Sequence, residues 1–156
     1  MIELSEVVVK FFEKQGCVLV STFSNDGSIH SSCKGIVRID PKGKIYIMDL
    51  YQAVTYNNLK TDNRISITAF NEHQFIGYSL KGKAEIMNKD KITESLISDW
   101  NRIITSRITN RLMNNIKNNT SSAPHYEANL PKPNYLILVM VDNIIDLKPK
   151  DIKLKG

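Results

Sequence analysis

Apolar residues recur along the chain with two different periods. From Cys17 to Phe70, and again from Phe75 to Met87, they fall at alternate positions or in short runs, the spacing of half-buried β-strands. The stretch Lys44–Phe70, KIYIMDLYQAVTYNNLKTDNRISITAF, organises the rest. Within it Ile45, Ile47 and Asp49 share one strand face, and Tyr46, Met48 and Leu50 share the other. Polar and small residues run from Gln52 to Thr55, and Asn57-Asn58-Leu59 follow. Ile65, Ile67 and Ala69 then alternate with Ser66, Thr68 and Phe70. The pattern predicts strand, short helix, strand. A helix that opens where a strand ends gathers free backbone N–H groups at its first turn, a place suited to an anion such as a phosphate.

The flanks follow the same logic. Ser5 is placed to cap a helix running to about Gln15, with Val8, Val9 and Phe12 on its apolar face and Gly16 ending it in a left-handed conformation. Asn25-Asp26-Gly27 joins the strand Cys17–Phe23 to a strand over Ser28–Ile39, and Pro41-Lys42-Gly43 returns the chain into Lys44. Two successive hairpins with no helix between them point to an antiparallel meander, not a βαβ unit. Phe75–Met87 reads as one long strand in which Gly77 and Gly82 permit the curvature that closing a small barrel requires. From Lys89 to Asn118 the period lengthens: Ile92, Leu96, Trp100, Ile104, Ile108, Leu112 and Ile116 recur every fourth residue. That spacing predicts an amphipathic helix, with a break near Thr105-Ser106. Asn118–Pro133 has the composition of an exposed loop. Tyr135–Val141, extending to Leu147, reads as a last strand buried on both sides, and a polar tail starts at Lys148.

At 156 residues with 42% hydrophobic and 24% charged side chains, the chain has the size and composition of one globular domain. A net charge of +5 is spread among acidic residues, so a solvated surface or a basic pocket explains it better than a nucleic-acid interface. Arg102, Arg107 and Arg111 drift around their helix and make no stripe. Cys17 and Cys33 lack metal-ligand spacing and fit a reducing compartment. The first residues do not read as a signal peptide, and no apolar run spans a membrane, so the expected location is cytoplasmic.

Lys34 and Arg38 lie four apart in one strand and are expected on one face. Paired cations there call for an anion, for carboxylates or for solvent between them. His30, His73 and His125 are scattered and read as surface residues, and Trp100 reads as core or interface. Gly77-x-x-x-x-Gly82-Lys83 lacks the hydroxyl residue and the following helix of a phosphate-binding P-loop, and no GxGxxG follows a strand.

The short helix with its Asn58-Leu59 pair, set between two strands and followed by Arg64, resembles the FMN-binding split-barrel family that includes pyridoxamine 5'-phosphate oxidase. The strand carrying Lys34 and Arg38, and the segment Gly77–Ala84, extend the likeness over roughly the first hundred residues. The resemblance implies a fold that is mainly β with flanking helices, a six-stranded antiparallel split β-barrel. It would occupy a single domain, 1–156, with 89–118 as a helical insertion before the last strand. It further implies a homodimer with two FMN molecules between the subunits, in which Lys34 and Arg38 hold the phosphate. Thr55 and Asn58 at the short helix, and Ile36, Met48 and Asp49 along the flavin, complete the implied cofactor site. Thr55 also reads as a plain helix cap, and Met48 as ordinary core. His125 or Tyr126 would cover the flavin of a neighbouring subunit. Where many members carry a lysine or an arginine-lysine pair, this chain has Val54 and Thr55, so its phosphate grip departs from the pattern. Genuine pyridoxamine phosphate oxidases engage their substrate through a C-terminal arginine and histidine, and that specific activity is not expected. The implied function is an FMN-dependent oxidoreductase acting on a small molecule. Its alternatives are a non-catalytic flavin module for electron transfer or redox sensing, and a same-fold binder of haem or a deazaflavin.

Overall fold

Burial of alternate side chains decides where the strands lie. In the computed structural model, which describes residues 1–118, 130 and 133–149, six strands close into an antiparallel barrel. They are β1 (Val18–Phe23), β2 (Ile29–Asp40), β3 (Lys44–Met48), β4 (Arg64–Asn71), β5 (Ile76–Asn88) and β6 (Tyr135–Asp146), and they neighbour one another in the order β1-β2-β3-β6-β5-β4. Val18, Val20, Ile45, Ile47, Ile67, Leu80, Ile137 and Val139 fill the interior. Each such side chain contributes about 1.5–3 kcal/mol on burial, which is why the alternation outweighs weak local propensity. Of the loop expected over Asn118–Pro133, residues 119–129 and 131–132, with His125 and Tyr126, lie outside the described residues, as does the tail from 150.

Among the described residues three α-helices flank the barrel: α1 (Glu6–Glu13), α2 (Val54–Thr61) and α3 (Glu94–Lys117). Ser5 caps α1 through the Val8 amide, and Val8, Val9 and Phe12 join the barrel core. The helix ends on a right-handed Lys14, not on a left-handed Gly16 as the sequence suggested. Left-handed glycines do occur at the two hairpin turns, Gly27 at φ 81° and Gly43 at φ 85°. Gly82 has a different reason: a Cβ there would overlap the Met140 carbonyl oxygen of β6, beside the register shift between Lys81 and Gly82.

A second cluster, Val37, Met48 and Leu136, lies outside the barrel wall beneath Leu96 of α3, with Trp100 packed against it. This is why β6 is buried on both faces near its start, with Leu136 facing out and Ile137 facing in. The expected break at Thr105-Ser106 is absent, and α3 runs unbroken for 24 residues. Its apolar face is covered less and less along its length: Ile103, Ile104 and Ile108 are half-buried. Leu96 is its one buried residue, while Leu112, Met113 and Ile116 are exposed, Ile116 at 72%.

Candidate functional site

The residues singled out on β2 do not act together. A bulge between Ile36 and Arg38 interrupts the pairing of β2 with β3. Before it, Lys34 sits opposite Val18 and Ile36 opposite Ile47, both core residues; after it, Arg38 sits opposite Tyr46, which packs in the outer cluster. The extra residue turns Arg38 to the far side of the wall. The same-face expectation for Lys34 and Arg38 is thereby corrected. Arg38 instead binds Asp99 of α3, through Nε at 2.7 Å and through a second guanidinium nitrogen at 2.6 Å, and donates to Ser95. It fastens the long helix to the barrel.

Lys34 points inward. Its ammonium lies 2.9 Å from Asp49 Oδ1, with side chains only 12% and 6% exposed. The other Asp49 oxygen accepts the Tyr135 hydroxyl, which also donates to the Tyr51 carbonyl at 3.3 Å. Burial first, then donation to Asp49 and its charge, raises the Tyr135 phenol above its ordinary value of 10.0. The Tyr56 ring meets that of Tyr135 edge to face at 4.8 Å. Two residues before Lys34, Ser32 shares a hydroxyl hydrogen bond of 3.1 Å with Thr55. A polar cluster, Ser32, Lys34, Asp49, Thr55 and Tyr135, thus gathers where β2, the end of β3, β6 and α2 converge.

Thr55 is not the cap of α2. That position belongs to Ala53, which offers no side-chain bond, and the first turn carries no acidic residue. No side chain therefore caps the helix start, whose first turn carries Thr55 with its hydroxyl bonded to that of Ser32. Asn58 is buried, and its amide donates to Thr22 at 3.0 Å and to Ser24 at 3.3 Å, tying α2 to β1. Met48 and Ile36 are packing residues: Met48 lies in the outer cluster, away from Lys34, and Ile36 packs against the barrel core. Sequence reasoning missed Tyr135 and Ser32. A lone tyrosine opening an otherwise aliphatic strand was the available signal for the first; nothing distinguished Ser32 from its polar neighbours.

An uncapped helix start, the Ser32 and Thr55 hydroxyls and the Lys34 ammonium are groups whose chemistry suits a phosphate monoester, though Thr55 itself is buried. One cation is present where two were expected, and a carboxylate already balances it. Among the described residues no group of three or more His, Cys, Asp or Glu could hold a metal ion, and no helix is long and apolar enough to cross a membrane.

A closed, six-stranded antiparallel barrel with flanking helices and a polar cluster at one end defines a split-barrel protein. The family model described as pyridoxamine 5'-phosphate oxidase matches residues 4–125, and the chain belongs to that family. No curated protein matches it in sequence. Its fold is similar to that of HupZ from Group A Streptococcus, at 15% identity and a TM-score of 0.62, covering 93% of this chain and 94% of that one. It is similar also to a Clostridium acetobutylicum protein related to general stress protein 26, of the pyridoxinephosphate oxidase family. That pair shares 18% identity and a TM-score of 0.59, with 89% of each chain covered. An F420 reductase, 13% identical with a TM-score of 0.57, covers 91% of this chain and 98% of its own.

Proposed function

We propose that this chain binds FMN and serves as a flavin-dependent oxidoreductase on a small molecule. The observation that carries the reading is the uncapped start of α2 beside the Ser32–Thr55 hydroxyl pair, with the Lys34 ammonium on the same strand face as Ser32. In this reading the first-turn amides of α2, Ser32, Thr55 and Lys34 hold the phosphate, and Asp49 with Tyr135 fixes the position of Lys34. Bound flavin supplies the electron-carrying chemistry, and the protein supplies placement and electrostatics. Exposed Leu112, Met113 and Ile116 on α3 support a homodimer, because apolar side chains clustered in this way are normally covered by a partner.

The balance of charge favours one second reading. Asp49 neutralises Lys34, and Arg38 lies across the wall, so a ligand with less concentrated charge than FMN, a haem or a deazaflavin, also suits the fold. The absorption spectrum and mass of the small molecule that co-purifies separate the two. A flavin spectrum and the mass of FMN support the first reading. A Soret band, or failure to take up added FMN, overturns it.

A further inference from the structure

The two cysteines stand apart from this cluster. Cys17 immediately precedes β1 and Cys33 lies in β2, where Val18 pairs with Lys34 and Leu19 with Cys33. The two side chains are therefore diagonal neighbours across one pair of antiparallel strands. Both are exposed free thiols, and Cys17 Sγ donates to Cys33 Sγ at 2.9 Å. A disulfide bond needs about 2.05 Å between sulfurs, so closing this gap takes a shift of only about 0.9 Å. Core packing does not explain sulfur here, since neither residue is buried. A serine pair at neighbouring positions of the same two strands, Ser21 and Ser31, bonds through its hydroxyls at 2.8 Å.

A third group approaches the pair. Arg107 of α3 donates to the Gly16 carbonyl, and one of its guanidinium nitrogens lies 3.1 Å from where a Gly35 Cβ would be. Gly16 immediately precedes Cys17, so a fixed positive charge sits near the Cys17 thiol and acts on it. Such a charge favours the thiolate, the form that attacks disulfides. The bond to Cys33 and partial burial act the other way and leave the Cys17 thiol above its ordinary value.

We propose that Cys17 and Cys33 form a reversible dithiol–disulfide couple, a redox modification site whose oxidant is a low-molecular-weight disulfide. One cysteine thiolate attacks a sulfur of the small disulfide, forms a mixed disulfide and releases one small thiolate. The second cysteine, deprotonated, attacks the protein sulfur of that mixed disulfide, closes the Cys17–Cys33 bond and expels the second small thiolate. The protein gives up two electrons and two protons, and the reagent takes up both as two thiols. The new bond would pin the start of β1 to β2 one residue from Lys34. None of this depends on the identity of the cofactor.

The test is incubation of the full chain with glutathione at graded reduced-to-oxidised ratios, followed by alkylation of free thiols and mass analysis. Expected is an intrachain species, lighter by two hydrogens, with neither cysteine alkylated, running as a monomer without reductant and restored by reduced glutathione. Cys17→Ser and Cys33→Ser are each expected to stop at a single glutathione adduct on the remaining cysteine. The proposal is overturned if the parent chain keeps both thiols alkylatable, accumulates stable glutathione adducts, or cross-links only between chains. It is overturned equally if either serine variant takes up no glutathione.

Discussion

Tyr135 joins the barrel interior to the polar cluster, and its removal has a definite cost. Its ring is almost wholly buried, and its hydroxyl is a donor to the Asp49 carboxylate. Tyr135→Phe leaves that buried oxygen without its partner, and chemical denaturation is expected to show a loss of about 2 kcal/mol. The pH dependence has a fixed sign. The phenol is raised above 10.0 in the folded chain, so its contribution is complete below that pH and declines as pH rises past it. The parent chain is therefore expected to lose stability on going from about pH 9 to about pH 11 more steeply than Tyr135→Phe does. Parallel slopes would mean that the buried phenol is not coupled to folding. Lys34 and Arg38 separate in the same kind of experiment. Lys34→Ala strands a buried carboxylate and is expected to cost about 3 kcal/mol, with Lys34→Ala/Asp49→Asn recovering much of it. Arg38→Ala breaks a pair whose arginine is 37% exposed and is expected to cost under about 1 kcal/mol. Residue types at the site were legible in the sequence: Lys34, Asp49 and Thr55 all fall in the polar cluster. Their partners were not, because Lys34–Asp49 and Asp49–Tyr135 are long-range contacts that no local period encodes.

At the scale of elements, the strands were the most legible part of the chain. Each of the six expected strands is present, and both hairpin turns fall where Asn25-Asp26-Gly27 and Pro41-Lys42-Gly43 placed them, each with a left-handed glycine. The bulge in β2 was invisible, because Ile36-Val37-Arg38-Ile39 reads equally well as regular alternation, and one inserted residue is enough to reverse Arg38. Helix α3 shows a different limit. Its period of four is real, yet of the residues that repeat only Leu96 is buried, Ile104 and Ile108 being half-buried and Leu112 and Ile116 exposed. Gly82 offers a test of the barrel itself. Gly82→Ala drives a Cβ into the β6 backbone at Met140, where no flexible side chain can yield, and thermal melting is expected to show a loss of about 3 kcal/mol. Wild-type stability in that variant would mean that β5 and β6 do not approach as closely as described.

For the molecule as a whole, family membership and barrel architecture were already implied by the sequence, whereas the working cofactor rests on chemistry at one end of the barrel. The proposed homodimer follows from surface that the barrel cannot cover, and sedimentation velocity is expected to give twice the mass of the 17.8 kDa chain. Replacing Met113 and Ile116 with glutamate should return it to a single chain that keeps its secondary structure by circular dichroism and whose melting no longer depends on protein concentration. Central to the functional reading is a phosphate held by the uncapped start of α2 with Ser32, Thr55 and Lys34. Riboflavin is FMN without that phosphate, so titrating the ligand-free chain with each and following flavin fluorescence isolates the contact. FMN is expected to bind about a hundredfold more tightly than riboflavin, about 2.8 kcal/mol, with Thr55→Val and Lys34→Ala each shrinking the gap at least tenfold. Equal affinity for the two flavins, or no binding of either, contradicts it.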